Sequence, residues 1–445
     1  MKKIHILPVV FFLALFETSQ AQPGEAVPGD TGILIKATNL KYVLPEEIGI
    51  NSRKLKIIDS IALSGINKGA YPGCQLLFAL EGKIFYDKSF GHPRYEDTLN
   101  VTKNDIYDLA SLTKVVATTL AIMKLYEEKM ISLDEKLGTY LPELKGSNKE
   151  GLVIRDVMTH QAGLQAWIPF YVKTLYKDQP DPAIYQHQQS ELFPLRVAKN
   201  LYIRKDYPDS VYFAIIDSPL RSTHDYKYSD LGFYLLRLII ERLTGKPFEE
   251  YVSASFYEPL GLTTTGFLPL RRFPVSQIMP TEQDTIFRKQ LLRGDVHDPG
   301  AAMLGGVSGH AGLFSNAYDL AVILQLLLNN GTYGGKQYFL PSTIKEFTRV
   351  QFPGKGNRRA LGFDKPALKN TPDGPSCKSA SLESFGHSGF TGTYIWVDPK
   401  NHLSYVFLSN RVYPAASNEK IVELNIRTKI HQAMYDILES AYIKK

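Results

Sequence analysis

One helical stretch in the first third of the chain most strongly constrains the fold. From Leu112 to Met123 the sequence reads LTKVVATTLAIM, in which Lys114 is the only charged residue and apolar residues occur all round a helix. A helix that is apolar on every side lies inside a large domain and not on its surface. The stretch therefore predicts a buried helix with a single lysine near its start.

Ser111 comes directly before this helix, three residues from Lys114, so the two side chains share one face of the first turn. The unpaired N–H groups at a helix start carry partial positive charge, which favours an anion formed there. Burial disfavours the ammonium form of lysine, so we expect the pKa of Lys114 to fall. A neutral Lys114 could then accept the proton of Ser111 and make it a nucleophile.

The Ser-x-x-Lys spacing is weak evidence by itself, because it also occurs at Ser342–Lys345 and at Ser417–Lys420. Only the copy at Ser111 is joined to a buried helix. Serine is also a favoured helix N-cap, and a cap with a neighbouring lysine explains the motif equally well. On this motif alone, both interpretations of Ser111 stay open.

The first 21 residues have the pattern of a secretory signal peptide. Two lysines near the start precede a short apolar core at residues 6–16, and small residues precede Gln22. The core is too short to span a bilayer. The residue directly after the predicted cleavage point is Gln22 and not a cysteine, so a lipid anchor is not expected. We therefore predict a periplasmic or secreted protein with no stable membrane insertion after signal cleavage.

The rest of the chain is expected to form one domain. Residues 22–45 are rich in proline and glycine and are interpreted as a leader, and residues 46–445 as the domain. Loss of the signal peptide removes two lysines and one glutamate, so the net charge changes from +6 to +5. No basic run is present, and no nucleic-acid partner is expected. For Cys74 and Cys377, a disulfide and two buried free thiols both stay open.

Strand-like segments occur near both ends of the chain, with helical segments between them. Residues 73–91 form an apparent hairpin about Glu81-Gly82, and residues 385–410 contain three further apolar strands. The two ends can share one antiparallel sheet only if they meet. We therefore predict an α+β fold, in which this sheet is flanked by helices and the middle helices form a second, mainly helical lobe.

The helical segments of that prediction have clear ends or clear periodicity. They are residues 52–67, 154–163, 233–243, 317–328 and 418–441. Residues 165–225 are aromatic, polar and irregular. A stretch of that length inside a domain usually shapes a binding site or a lid, and that role is predicted here.

Two further motifs follow Ser111 in an informative order. Tyr228-Ser229-Asp230 precedes a second apolar helix, and His387-Ser388-Gly389 lies on a predicted strand. Over residues 46–440 this order resembles the serine β-lactamase and penicillin-binding-protein superfamily, in its class C and esterase-like branch. The resemblance implies a serine hydrolase that works through an acyl-enzyme. Another Tyr-x-Asp match, at Tyr207, is set aside because no apolar helix is predicted after it.

The resemblance also implies the catalytic roles. Ser111 would be the nucleophile, and Lys114 and Tyr228 would share proton transfer as base and then acid. The backbone N–H groups of Ser111 and Phe390 would form the oxyanion hole. The residues expected to contact the substrate or the oxyanion are His387, Gly389, Phe390, Asp230, His310 and Arg411.

Two of these residues depart from the common family pattern. His387 replaces a lysine; its imidazole would be largely neutral near neutral pH, would gain charge in mild acid, and would hydrogen-bond the substrate or Tyr228. Asp230 replaces an asparagine and could accept hydrogen bonds from Lys114 or from the substrate. The alternative for Asp230 is a carboxylate that merely stabilises a helix start.

The substrate is predicted from other segments. Class C enzymes use an Asn/Arg pair to bind the substrate carboxylate, but alanine and asparagine stand in that place within residues 409–418. Segments 296–298, 304–313 and 408–414 resemble a subgroup that includes N-acetylmuramyl-L-alanine amidases and is sometimes fused to family 3 β-N-acetylglucosaminidases. We therefore expect an amidase with a muropeptide or a related small acyl compound as its substrate. An esterase, a D-amino-acid carboxypeptidase, a β-lactamase and a non-catalytic peptidoglycan sensor are the alternatives.

His297, Asp298 and His310 lie in a glycine-rich segment and could be interpreted as metal ligands. Two histidines and an aspartate are a set that binds zinc. The serine constellation needs no metal, however, and neither a metal nor a cofactor is predicted. Glycan binding or structural hydrogen bonding is the preferred interpretation of these three residues.

Overall fold

The computed structural model describes residues 39–368 and 374–442. Its strands in chain order are β1 (Lys41–Tyr42), β2 (Gly73–Leu80), β3 (Lys83–Gly91), β4 (Tyr107–Asp108), β5 (Leu175–Tyr176), β6 (Gln179–Pro180), β7 (Tyr185–Gln186), β8 (Leu195–Ala198), β9 (Leu201–Ile203), β10 (Gly266–Phe267), β11 (Pro280–Asp284), β12 (Gln290–Arg293), β13 (Leu313–Ser315), β14 (Thr332–Tyr333), β15 (Lys336–Gln337), β16 (Phe385–Ser388), β17 (Tyr394–Asp398) and β18 (Leu403–Ser409).

The α-helices are α1 (Lys56–Asn67), α2 (Thr119–Glu127), α3 (Leu137–Tyr140), α4 (Ile154–Met158), α5 (Tyr207–Asp217), α6 (Leu231–Thr244), α7 (Phe248–Val252), α8 (Pro299–Met303), α9 (Ala317–Leu328), α10 (Pro341–Thr348), α11 (Lys420–Glu423) and α12 (Ile426–Tyr442). Short 3-10 helices occur at Pro45–Ile48, Ala110–Leu112, Pro142–Leu144, Phe170–Thr174, Pro269–Arg271 and Val275–Gln277. Two π-helical turns occur at Lys114–Thr118 and Ser253–Tyr257.

The main sheet joins the two ends of the described chain. Its strand order is β1-β3-β2-β18-β17-β16, and every neighbouring pair is antiparallel except β1 and β3. β2 and β18 pair along their length, with Leu80 opposite Leu403 and Cys74 opposite Ser409. The predicted hairpin is confirmed, and so is the α+β fold built from both chain ends. Glu81 and Gly82 turn the hairpin with φ of 50° and 75°, values that a tight two-residue turn requires.

The central strands β2, β18 and β17 are largely apolar on both faces because both faces of the sheet are covered there. Along β2, Leu77 and Ala79 contribute to the core beneath the helical lobe, which contains α2, α6 and α9. The alternate residues Leu76, Phe78 and Leu80 contribute to a second core with α1 and α12. A sheet covered in this way has near-continuous apolar strands. The site described below lies on the side of the helical lobe.

The predicted buried helix begins irregularly. A 3-10 turn and a π-helical turn precede α2, so the stretch predicted as one helix has three parts. In the π-helical turn, the Thr119 hydroxyl donates to the Lys114 carbonyl oxygen at 2.8 Å. Single π-turns of this kind are often found where a helix carries functional residues. The burial prediction is confirmed, since Leu112 and Lys114 are 0% exposed.

Several boundaries differ from the predictions. A helix, α5, begins at Tyr207 inside the stretch predicted as irregular, so the reason given for setting Tyr207 aside is wrong. The predicted C-terminal helix is divided into α11 and α12 at Asn425, which has a left-handed φ of 53°. β1 lies within the range predicted as a leader, and a two-residue strand is too short to leave a sequence pattern. Helix α4 ends at Met158, before the predicted glycine.

The predicted signal peptide, residues 1–21, and residues 22–38 of the predicted leader lie outside the described residues. The described residues group into one compact unit. Among the described helices, none is both long and apolar enough to cross a membrane. Cys74 and Cys377 are free, buried thiols in the core formed with α1 and α12.

The core position of α2 predicts a large loss of stability on truncation. Leu120 is 0% exposed, so Leu120→Ala should lower the free energy of unfolding by about 2–5 kcal/mol. Leu99 is 77% exposed, and Leu99→Ala should change it by about 0.5 kcal/mol or less. Urea denaturation of the two variants and wild type is the measurement. Equal losses in both variants would contradict the placement of α2 in the core.

Candidate active site

Ser111 lies on a turn that the backbone holds in an unusual conformation. The preceding residue, Ala110, has a left-handed φ of 46°, which costs an alanine about 1–2 kcal/mol. The Ala110 N–H donates to Asp108 Oδ1 at 2.8 Å, and this bond helps to hold the conformation. Such strained positions cluster at functional sites. Ser111 is half-buried and faces a cavity.

Lys114 is fully buried, and its ammonium group has three acceptors. Nζ lies 3.0 Å from Ser111 Oγ, 3.1 Å from the carbonyl oxygen of His310 and 2.7 Å from Asp230 Oδ1. Burial by itself lowers the pKa of Lys114, but the charge of Asp230, followed by that of Tyr228, raises it above the ordinary lysine value. The predicted fall in the pKa of Lys114 is therefore wrong, because the carboxylate beside it stabilises the ammonium form.

Tyr228 completes this group from the segment before α6. Its ring centroid is 5.1 Å from Lys114 Nζ, and its hydroxyl is buried without a hydrogen bond of regular geometry. Burial raises the pKa of Tyr228, although the neighbouring Lys114 charge lowers it in part. The phenol is therefore protonated in the resting site. His160 packs on it at 4.4 Å between ring centroids.

His387 is also buried, and it is neutral over a wide pH range. Its Nδ1 lies 2.7 Å from the Ser388 carbonyl oxygen, which fixes the proton on that nitrogen. Burial, together with the charges of Arg359 and Lys114, lowers the pKa of His387 to about 3. The expectation that it gains charge in mild acid is therefore wrong. Its ring centroid lies 5.9 Å from that of Tyr228, and its Nε2 has no hydrogen-bond partner among the described side chains or backbone.

The turn that follows β16 is hydrogen-bonded to the segment that precedes Ser111. The Thr391 hydroxyl donates to the Asp108 carbonyl oxygen at 2.7 Å, and the Thr393 hydroxyl donates to the Leu109 carbonyl oxygen at 3.0 Å. A Cβ at position 389 would come within 2.5 Å of that Leu109 oxygen, so only glycine fits there. This contact brings the Phe390 backbone against the Ser111 turn.

The two N–H groups expected to bind an oxyanion are available. Neither the Ser111 N–H nor the Phe390 N–H donates a hydrogen bond to another residue in the described ranges. Arg411 makes two contacts with Phe390. Its Nε donates to the Phe390 carbonyl oxygen at 2.7 Å, and its guanidinium lies 4.4 Å from the centroid of the Phe390 ring. Arg411 also donates to the carbonyl oxygens of Ala416 and Asn418. Its contacts are therefore those of a residue that positions the Phe390 turn.

The candidate metal ligands are held in two separate pairs. His310 Nε2 lies 2.9 Å from Asp298 Oδ1, and Ser308 Oγ is 2.9 Å from His310 Nδ1. Burial raises the pKa of Asp298, but the charge and hydrogen bond of His310 lower it well below the ordinary value. His297 instead lies 2.9 Å from Glu282. Within residues 39–368 and 374–442, no three His, Cys, Asp or Glu side chains are grouped as metal ligands.

All nine residues that the motifs and the resemblance nominate belong to one place in the fold. Eight of them line a single cavity of about 730 Å³, and Lys114 lies beneath it in contact with Ser111. Tyr207 and the other two Ser-x-x-Lys copies do not line it; Ser342 and Ser417 are exposed. The catalytic roles stay predictions.

Sequence reasoning missed three residues that position the site: Asp108, Thr391 and Thr393. Asp108 is 1% exposed. Its Oδ2 accepts the His297 backbone N–H at 2.7 Å, and its Oδ1 accepts the Ala110 backbone N–H. Burial raises the pKa of Asp108. No local pattern marks these residues, because each acts through a contact between distant segments.

The Lys114–Asp230 pair predicts a shift in pH dependence. Asp230→Asn removes the carboxylate that raises the pKa of Lys114, so that pKa should fall. Phosphonylation of Ser111 needs a proton acceptor, and its rate should rise with pH as Lys114 loses its proton. The midpoint of this rise should therefore move to lower pH in Asp230→Asn.

The measurement is the rate of inactivation by an organophosphonate across the pH range in which the protein stays folded. Asp225→Asn is the control, since Asp225 pairs with Arg221 in an exposed loop outside the cavity, and its midpoint should equal that of wild type. An unmoved midpoint in Asp230→Asn would show that the pair does not set the charge of Lys114.

Comparisons with known proteins show the family of the chain. A family model described as Beta-lactamase matches residues 58–426. A protein of Salmonella gallinarum (strain 287/91 / NCTC 13346), named as a candidate D-alanyl-D-alanine carboxypeptidase, is 33% identical over 408 residues, which cover 86% of this chain and 88% of its own.

Two solved structures show the same fold at low sequence identity. A penicillin-binding protein homologue from Caulobacter crescentus has a TM-score of 0.61 at 19% identity and covers 90% of this chain and 100% of its own. A class C β-lactamase from Rhodobacter sphaeroides has a TM-score of 0.58 at 18% identity and covers 86% of this chain and 98% of its own. The family model spans most of the chain, and the chain therefore belongs to the β-lactamase family of serine hydrolases.

Proposed function

We propose that this serine hydrolase is an exported amidase that cleaves the bond between N-acetylmuramic acid and L-alanine in peptidoglycan fragments. The cavity above Ser111 is the observation that carries the proposal. Its volume of about 730 Å³ suits a ligand with both a sugar and a short peptide. Trp167, Tyr171 and Tyr226 line it, and aromatic faces of this kind pack against the C–H groups of a sugar ring.

Two further observations support the substrate and the compartment. The segments around His297, His310 and Arg411 resemble those of muramyl amidases, and all three residues line the cavity. The signal-like residues 1–21 support export, which would bring the protein to the compartment where peptidoglycan is found.

In the proposed first step, Ser111 Oγ attacks the carbonyl carbon of the lactyl group on muramic acid. The N–H groups of Ser111 and Phe390 donate to the oxyanion, where two such donors contribute several kcal/mol. The carbon–nitrogen bond then breaks as the leaving amine takes a proton from Tyr228 or Lys114. The products are a lactyl ester on Ser111 and a free peptide with an amino terminus.

The protonated state of Lys114 determines how Ser111 is activated. Asp230 Oδ1 lies 2.7 Å from Nζ and stabilises the ammonium form, so Lys114 must lose this proton to solvent before it can act as a base. Neutral Lys114 then has a free electron pair 3.0 Å from Ser111 Oγ and takes the proton of Oγ as the attack begins. Asp230 therefore sets the pH at which Ser111 is activated.

A D-alanine carboxypeptidase is the second candidate, favoured by the name of the Salmonella relative. Its substrate would end in a carboxylate, which needs a cation. Arg411 is engaged by three carbonyl oxygens, whereas Arg427 lines the cavity and has no carboxylate of a described residue within ion-pair distance. Arg427 would bind the substrate carboxylate in this alternative.

The nucleophile is tested by replacing serines in two copies of the motif. Ser111→Ala should lower kcat by about 10⁴-fold or more, because no other group can form the acyl-enzyme. Ser342→Ala, at an exposed position in α10, should leave kcat unchanged. Turnover and thermal unfolding are measured on both. Comparable losses at the two positions would exclude Ser111 as the nucleophile.

The substrate is tested with a panel of muropeptides whose products are identified by mass spectrometry. We expect release of an intact peptide, with L-alanine at its amino terminus, from N-acetylmuramic acid. Ser111→Ala is the matched control and should release nothing. Loss of only a terminal D-alanine would overturn the amidase proposal and favour the carboxypeptidase.

A further inference from the structure

A histidine–carboxylate pair lies in the same cavity and has no part in the mechanism above. His297 Nε2 is 2.9 Å from Glu282 Oε2, and both side chains line the cavity that contains Ser111. Burial raises the pKa of Glu282, but the hydrogen bond and charge of His297 outweigh this effect, so the pKa lies below the ordinary value. Glu282 is therefore a carboxylate, and the Ala416 N–H donates to its other oxygen at 3.2 Å.

The orientation of the imidazole leaves one nitrogen available. Nε2 lies beside the carboxylate at 2.9 Å, although not in a regular hydrogen-bond geometry, so Nδ1 of His297 is the free position, and no described residue hydrogen-bonds to it. A carboxylate on one ring nitrogen fixes the tautomer and makes the other nitrogen a proton acceptor. This is the arrangement that a general base requires.

The pair is also fixed relative to the nucleophile. Asp108 accepts the backbone N–H of His297 through one carboxylate oxygen and that of Ala110, the residue before Ser111, through the other. The His297 ring lies 5.6 Å, between centroids, from the ring of Phe390, whose N–H is expected to bind the oxyanion. His297 therefore lines the same cavity that an acyl group carried by Ser111 would enter.

The second half of the reaction needs a base of this kind. Hydrolysis of the acyl-enzyme requires a proton acceptor for water and a proton donor for Ser111 Oγ. Lys114 Nζ, 3.0 Å from Oγ, is placed to donate, and Tyr228 is protonated. His387 has a free nitrogen, but its pKa of about 3 makes it a weak base. Its neighbouring carboxylate, Asp364, already pairs with two arginines.

We propose that His297 is the general base of deacylation, and that Glu282 is the residue that positions it. A water oxygen attacks the ester carbonyl on Ser111 while one water proton passes to His297 Nδ1. The tetrahedral intermediate collapses with cleavage of the bond to Ser111 Oγ, which takes a proton from Lys114 or Tyr228. A carboxylic acid leaves, His297 gives its proton to solvent, and the group that protonated Oγ regains one from solvent, which restores the resting site.

This inference requires an acyl-enzyme on Ser111 but no particular acyl group, so it is independent of the muramyl substrate. The test uses p-nitrophenyl acetate with wild type, His297→Gln and Glu282→Gln. In His297→Gln we expect a burst of p-nitrophenolate close to the enzyme concentration, followed by turnover lowered about 10²–10⁴-fold. Mass spectrometry should find one acetyl group on Ser111. Glu282→Gln, which keeps the imidazole, should show the same burst with a smaller loss of turnover.

Hydroxylamine separates a catalytic role from a structural one. It attacks esters without the help of a base, so it should release the acetyl group from His297→Gln at a rate close to that from wild type. His187→Gln, at an exposed histidine outside the cavity, is the control and should behave as wild type.

Two results would overturn the proposal. In one, His297→Gln slows the burst and the steady state equally, with no acyl-enzyme, which would show that His297 only maintains the site. In the other, His297→Gln and Glu282→Gln both turn over at the wild-type rate.

Discussion

The rest of the site depends on the burial of one ammonium group. Lys114 can be fully buried only because Ser111, the His310 carbonyl and Asp230 surround it, and these acceptors come from three separate segments. A buried ion that loses its partner costs about 3–5 kcal/mol. The start of α6 and the glycine-rich loop must therefore dock on the helix for the lysine to be stable there. Folding and assembly of the catalytic group are the same event.

Much of the fold could be predicted from local patterns. The hairpin about Glu81 has two runs of strand-forming residues about a short glycine turn, and the stretch from Leu112 to Met123 has no polar face. The order of the motifs at Ser111, Tyr228 and His387 indicated which residues would meet. The hairpin and the buried helix are visible because each depends on residues that are close in the sequence, whereas the three motifs became informative only through the family resemblance.

The electrostatics of the site could not be predicted in the same way. The pKa of Lys114 depends on a carboxylate that reaches it from another helix, and the predicted direction was wrong for that reason. The neutral state of His387 in mild acid depends on the charges of Arg359 and Lys114 as well as on burial. The hydrogen bond from Thr391 to the Asp108 carbonyl oxygen and the ion pair of His297 with Glu282 join segments far apart in the chain. Sequence periodicity carries no information on such contacts.

The two cysteines have a practical consequence. Cys74 is 0% exposed, and burial raises its pKa; burial also raises the pKa of Cys377 to about 12. The thiolate is the form that reacts with alkylating reagents, so both native sulfurs are almost inert at neutral pH. A cysteine introduced in place of Trp167, which is 45% exposed at the edge of the cavity, would be the one reactive thiol of the chain. A fluorophore attached there would report the filling and emptying of the cavity in real time, without removal of either native cysteine.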